Sequence, residues 1–197
     1  MKKRLLLVTG APGTGKTTVL LKTAEDLKRK GYSVGGMLSR EVRSNGNRIG
    51  FEILDLNSGR KGWLASVYQD QGPQIGKYRV NLDDLNQIGV DAIVKAAENC
   101  DVVVVDEIGP MEFFSEQFRE AVRKIAEGKK LALCTIHWKM SDSLLESMRK
   151  REDAQIYVVT YENRGHLHEA MVLKALDFLA ETRSRINGYN FEAKNSS

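Results

Sequence analysis

The chain has 197 residues, 42% hydrophobic and 28% charged, with 30 basic against 26 acidic side chains and a formal net charge of +4. This length fills one α/β core and argues against a second full domain, and the composition excludes a disordered chain. The two signs of charge interleave, so no dedicated nucleic-acid surface stands out, and no stretch approaches the about 20 apolar residues of a membrane-spanning helix.

Met1-Lys2-Lys3-Arg4 before Leu5-Leu6-Leu7-Val8 has the charge order of a secretory leader, but the apolar run is too short for one. A cytoplasmic protein is expected. The run leads instead, as a predicted strand, into Gly10-Ala11-Pro12-Gly13-Thr14-Gly15-Lys16-Thr17, which fills every fixed position of the Walker A pattern and is followed by a predicted helix. Gly10, Gly13 and Gly15 free the backbone to turn N–H groups inward, and the helix aims its positive end at the phosphates. Lys16 would bridge the β- and γ-phosphates, and Thr17 would place a hydroxyl on Mg²⁺. Ala11, Pro12, Thr14 and Thr18 complete the nucleotide contacts expected from this loop.

Val19, Leu20, Thr23, Ala24 and Leu27 share one face of the helix predicted over residues 16–30, and Gly31 stops it. Residues 32–40, 48–56 and 61–67 read as strands, separated by Asn45-Gly46-Asn47 and Asn57-Ser58-Gly59 turns. They predict an antiparallel insertion beside a parallel core. Residues 68–81 read as a polar loop and residues 91–99 as a helix. Val102-Val103-Val104-Val105 is a continuous β-branched run, suited to a strand buried on both faces of a parallel sheet.

Phe114, Phe118, Ala121, Val122 and Ile125 recur at helical spacing, and Leu131 to Ile136 form the next strand. Ser141 can cap a helix ending near Arg151, residues 156–160 form a strand, and Val172, Leu173, Leu176, Leu179 and Ala180 line one side of a last helix. From Arg183 onward the periodicity is lost. The expectation is a domain over residues 1–182 and a flexible tail over residues 183–197. Cys100 and Cys134, beside apolar runs, read as buried thiols, and His166 and His168 diverge on a helix and do not suggest a metal pair.

The valine run ends in Asp106-Glu107, a Walker B arrangement that delivers acids where ligands bind in open α/β sheets. Asp106 would hold Mg²⁺ with Thr17, and Glu107 would polarise the water that attacks the γ-phosphate. Thr135, ending the next strand, fits either a γ-phosphate sensor or a plain polar strand end. Charge developing on the γ-phosphate calls for a further cation besides Lys16, for which Arg79 is the first candidate and Arg43 the second, with Arg149 and Arg151 behind them. Asn163 and Arg164 stand where base contacts are made, Arg164 by stacking on a purine, although Asn163 also fits simple helix capping.

The run Asp106-Glu107-Ile108-Gly109-Pro110-Met111-Glu112-Phe113-Phe114-Ser115 resembles the signature of the thermophilic nucleoside triphosphatase family of P-loop NTPases. Arg40-Glu41-Val42-Arg43 with Gly50-Phe51, Tyr78-Arg79-Val80-Asn81 and Tyr161-Glu162-Asn163-Arg164 extend the likeness to about residue 182. The resemblance implies a RecA-like α/β fold, with a mostly parallel central sheet flanked by helices and the antiparallel β-insertion near residues 32–67. It also implies slow hydrolysis of ATP, GTP and other nucleoside triphosphates, with residues 10–17 and the segment Val102, Val103, Val104, Val105, Asp106, Glu107, Ile108 and Gly109 flanking the nucleotide.

Pro110 stands where the family usually has Lys or a similar residue. Its fixed φ is expected to redirect Met111 and Glu112, so Glu112 is given no role. Two other functions compete with hydrolysis. One is a P-loop nucleotide or nucleoside kinase with Arg149-Lys150-Arg151 as a short lid; the other is a nucleotide-gated switch binding RNA or a protein through the insertion and the tail. A nucleic-acid partner is not favoured, no membrane partner is expected, and a monomer is the default.

Overall fold

The computed structural model describes residues 2–194, with side chains to residue 182. Of the tail expected over residues 183–197, the backbone to Lys194 is helical, and its side chains and residues 195–197 lie outside what is described. Two apolar cores sandwich one sheet of nine strands, because alternate residues of each central strand enter opposite sides. In β1 (Leu5–Thr9), Leu5 and Leu7 join one core while Leu6 and Val8 join the other. In β7 (Val102–Ile108), Val103 and Val105 divide from Val102 and Val104 in the same way. That double burial is why both strands lack polar alternation.

The sheet order is β5-β6-β4-β3-β2-β7-β8-β1-β9. From β2 (Val34–Ser44) through β7, β8 (Leu131–Ile136) and β1 to β9 (Ala154–Val158) all pairings are parallel. β8 thus separates the strand that feeds the Walker A loop from the strand that carries Asp106. From β2 outward the sheet is antiparallel through β3 (Asn47–Asp55), β4 (Lys61–Ser66), β6 (Tyr78–Val80) and β5 (Gln74–Ile75).

The helices cover both faces. On one side α1 (Lys16–Arg29) buries Val19, Leu20, Thr23, Ala24 and Leu27 against α6 (Leu167–Lys194). The opposite core takes α3 (Asp91–Asn99), α4 (Glu116–Glu127) and α5 (Ser143–Lys150). Among the described residues no helix is long and apolar enough to cross a membrane.

Several local expectations change. On α6, Val172 and Leu179 are buried as expected, but Met171 and Ala175 share that face and Leu173 and Ala180 are exposed. The segment over residues 68–81 is not all loop, since β5 and β6 form a hairpin in which Tyr78 and Val80 are buried. The helix expected at residue 91 begins earlier. The Asn81 side chain accepts from Asp84 N–H at 3.0 Å to cap α2 (Leu82–Asp84), and a π-helical stretch over Leu85–Val90 buries Leu85 and Ile88 before α3. Asp142 rather than Ser141 caps α5, accepting from Leu144 N–H at 2.8 Å. β9 lies two residues earlier than its sequence pattern suggested, because Ala154 pairs with Leu5 at the start of β1.

Arg4 ties these layers together. Its guanidinium is buried, sits 2.9 Å from Asp153, and donates to the carbonyls of Ile125 (3.0 Å), Lys130 (3.2 Å) and Ala126. Two of these carbonyls belong to the last turn of α4, where donors run short; Ile125 also accepts from Gly128 N–H at 3.3 Å. Replacing Arg4 with Met should cost about 3 kcal/mol, near the low end for breaking a buried pair, because Asp153 keeps Arg151 at 2.7 Å. Denaturant unfolding would show this as a lower midpoint with an unchanged slope.

Candidate active site

The Walker A loop turns between β1 and α1 with φ of +149° at Gly10, +78° at Gly13 and +103° at Gly15. A Cβ on Gly10 would stand 2.6 Å from the Val159 carbonyl oxygen, so that position admits no side chain. Thr14 closes the loop on itself, its hydroxyl donating to the Ala11 carbonyl at 2.8 Å. Gly15 caps α1 without a side-chain acceptor, and the first turn holds no acid. The positive end of the helix is therefore uncompensated from within and faces the loop. Lys16 lies along the same loop, its Nζ donating to the carbonyls of Gly10 (3.2 Å) and Ala11 (3.5 Å).

Asp106 is buried at the carboxyl end of β7, where the Thr135 hydroxyl of β8 donates to its Oδ1 at 2.5 Å. Its Oδ2 is buried and finds no hydrogen-bond partner among the described residues. Burial pushes the carboxyl up to about 6, against the pull of the Thr135 and Thr17 hydroxyls and of Lys16, with Glu107 pushing the same way as burial. Burial also raises Glu107, while Lys16 draws it down.

Next to them stands a third acid, Glu112, which Pro110 was expected to redirect. Glu112 is buried, and burial together with the charges of Glu107 and Asp106 pushes its carboxyl up to about 8. A Cβ on Gly109 would lie 3.1 Å from Glu112 Oε2 and 3.6 Å from Glu107 Oε1, so the two carboxyl groups flank that glycine. Pro110 does not turn Glu112 away: the helical turn Glu112–Phe114 folds it back, with Phe113 N–H donating to the Gly109 carbonyl at 3.1 Å.

These groups open onto a cavity of about 510 Å³. Its near end is the Walker A loop with Lys16 and Thr17, and Glu107, Gly109 and Glu112 come from the end of β7. His137 and Trp138 enter from beyond β8, where His137 N–H donates to the Ile108 carbonyl at 3.0 Å. Burial, then Lys16, lowers the His137 pKa, so it is neutral near pH 7. The antiparallel strands supply the far wall, including Ser39, Glu41, Arg48 and Phe51.

The four arginines suggested as transition-state cations do not line this cavity. Arg79 donates to the Gly72 carbonyl at 3.1 Å, Arg43 pairs with Glu41 and donates to the Gly46 carbonyl at 2.9 Å, and Arg151 binds Asp153. Arg149 binds Glu146 at 2.6 Å and the carbonyls of Met140 and His137. The arginine in the wall is Arg48, missed in the sequence because its place depends on hairpin register: it sits opposite Arg43 in the β2–β3 ladder. It donates to the Tyr78 hydroxyl at 2.8 Å and to Glu41 at 3.1 Å, and stacks 5.3 Å from the Phe51 ring centre.

Of the other sequence candidates, Thr18 is exposed on α1, and Val102, Val103, Val104 and Val105 are buried core residues that reach the site only through the strand end they support. Asn163 and Arg164 sit apart from the cavity, beyond β9. The Asn163 side chain is used in its own turn, accepting from Thr160 N–H at 2.9 Å and donating to the Val158 carbonyl at 2.8 Å. Arg164 lies over the Walker A loop, its Cδ 3.6 Å from where a Cβ on Gly15 would stand, with its guanidinium 5.3 Å from the Tyr161 ring centre.

The family model described as NTPase matches residues 5–172. The nucleoside-triphosphatase THEP1 of Thermofilum pendens is 47% identical over 168 residues, covering 85% of this chain and 92% of that protein. The crystal structure of THEP1 from Aquifex aeolicus is similar with a TM-score of 0.74 at 30% identity, covering 87% of this chain and 96% of that one. The solution structure of a human cancer-related nucleoside triphosphatase gives a TM-score of 0.73 at 36% identity, covering 86% and 96%. With a Walker A loop on β1, an acidic pair ending β7, an additional strand between them and these matches over most of its length, the chain belongs to the nucleoside-triphosphatase family of P-loop NTPases.

Proposed function

We propose that the protein hydrolyses ATP, GTP and other nucleoside triphosphates to the diphosphate and phosphate, slowly and with broad base tolerance. The observation that carries this reading is the convergence of Lys16, Thr17 and Glu107 on one cavity beside the buried Asp106. Glu107 takes a proton from water, the water oxygen attacks the γ-phosphorus, and the bond to the β–γ bridging oxygen breaks. Lys16 and the loop N–H groups meet the charge on the phosphoryl oxygens. The raised pKa of Glu107 makes it a better base than a free carboxylate.

Asp106 Oδ2, buried without a partner, and the Thr17 hydroxyl beside that carboxylate fit a hard divalent cation such as Mg²⁺. When bound, the ion would neutralise charge on the β- and γ-phosphates. Broad base tolerance follows from the far side of the loop, where the Asn163 amide is engaged in its own turn and Arg164 over Tyr161 offers a flat cation that stacks on any base. Slow turnover is supported by Arg48, which is held by Glu41 and Tyr78 instead of standing free to meet the phosphoryl group. Two free, buried thiols, Cys100 and Cys134, favour a reducing compartment and so the cytoplasm.

Replacing Glu107 with Gln should lower phosphate release by about 10²–10⁴-fold, as expected for loss of a general base, while nucleotide affinity in a fluorescent-analogue titration changes little. Wild-type turnover in that variant would remove Glu107 from the role of base. A second expectation concerns Glu112. Its folded pKa of about 8 lies above the ordinary 4.5, so the folded state holds this proton more tightly than the unfolded state. The stability from that proton is complete below 4.5 and is lost as pH rises through about 8. Glu112→Gln should therefore flatten the fall in Tm across that interval and raise Tm at its alkaline end by several degrees, measured by calorimetry over a pH series.

A further inference from the structure

The cavity is far larger than attack by water requires, and the strand order says on which side of the γ-phosphate it lies. In an in-line displacement the attacking and leaving oxygens stand on opposite sides of the phosphorus. Glu107, at the end of β7, marks the attacking side. The leaving diphosphate must then run the other way, across β1 towards β9, where Arg164 and Tyr161 form an open ledge over Gly15. Beyond the Walker A loop, every described residue of the cavity wall comes from the Glu107 side of the sheet, and none from β9 or the turn after it.

A water molecule occupies about 30 Å³ of liquid. The cavity, at about 510 Å³ including the Walker A end that the γ-phosphate would enter, lies within the size range of small-molecule sites. Phe51, Leu64, Ile75 and Met111 give it an apolar wall, and Trp138 stands 47% exposed at its mouth. Ser39 and Glu112 add groups able to hydrogen-bond a polar edge. Both cations in the wall are committed, Lys16 to the triphosphate and Arg48 to Glu41 and Tyr78. An anionic acceptor would find no free cation among the described residues of the wall and would meet the Glu41 and Glu107 carboxylates.

We propose that this cavity is an acceptor subsite for a neutral, ring-bearing alcohol of nucleoside size, and that the protein transfers the γ-phosphoryl group to its hydroxyl as well as to water. The proposal rests on Glu107 acting as base. The acceptor O–H gives its proton to Glu107, its oxygen forms the new bond to phosphorus, and the bond to the β–γ bridging oxygen breaks. One phosphomonoester and one nucleoside diphosphate form per triphosphate, and Glu107 releases the proton to solvent. Hydrolysis proceeds when the cavity holds only water.

The test incubates the full chain with γ-labelled ATP and magnesium, adds nucleosides or the matching nucleoside monophosphates, and separates the labelled products. The expected result is labelled nucleoside monophosphate that rises saturably with nucleoside, and at least about tenfold slower transfer to the monophosphates, the factor that corresponds to ~1.4 kcal/mol. Trp138→Ala, at the exposed mouth, should lower the ratio of transfer to hydrolysis by about the same factor. Label found only in inorganic phosphate at high nucleoside concentration overturns the acceptor subsite and leaves hydrolysis standing. Label that stays in ATP throughout refutes the hydrolytic reading itself. Faster transfer to nucleoside monophosphates than to nucleosides overturns the neutral acceptor.

Discussion

Three carboxyl groups gathered at the apolar end of a buried strand are the constraint that shapes this molecule. Asp106, Glu107 and Glu112 all have raised pKa values because burial withholds the water that would stabilise their charge. The structure offsets that cost from several directions. Thr135 donates to Asp106, Lys16 draws down both Asp106 and Glu107, and Glu112 keeps its proton at neutral pH. Under the proposed function, a cation at Asp106 Oδ2 and a triphosphate on Lys16 would complete this balance.

The additional strand β8 makes this possible. Placed between β1 and β7, it brings Thr135 against Asp106 and carries His137 and Trp138 to the cavity edge. The backbone bond from His137 to Ile108 holds the two strand ends together beyond the break in ladder register after Val105. Behind them, valine and leucine side chains alternate into two cores, each fully buried one contributing about 1.5–3 kcal/mol. The strand ends are consequently rigid, as a site aimed at a transferring phosphoryl group requires.

The antiparallel extension has a different task. Its strands wall off the space in front of Glu107. The Arg48, Glu41, Tyr78 and Phe51 cluster stiffens that wall by charge pairing, a hydroxyl bond and ring stacking. Glu41 is held below the usual carboxylate range, its burial outweighed by Arg48 and Arg43. Because this cluster consumes its own charges, the wall is closer to neutral than its composition suggests.

Walker A, the strand ending in Asp106-Glu107 and the burial face of α1 were all legible from the sequence, since each depends on residues within a few turns of one another. The parallel core could be inferred too, because a strand buried on both faces writes itself as an unbroken apolar run. What depends on register and on distant chain segments was not legible. Arg48, and not Arg43 or Arg79, lines the cavity, where it meets Glu41, Tyr78 and Phe51, residues that strand pairing brings together from distant positions. Glu112 returns to the site because a helical turn after Gly109 folds it there, in spite of Pro110. The cavity exists only once β2, β3 and β4 stand beside β7. By itself the sequence determined the Walker A loop and the strand ending in Asp106-Glu107, which are local, whereas the tertiary structure alone decided what faces them across the cavity, because that is set by strands distant along the chain.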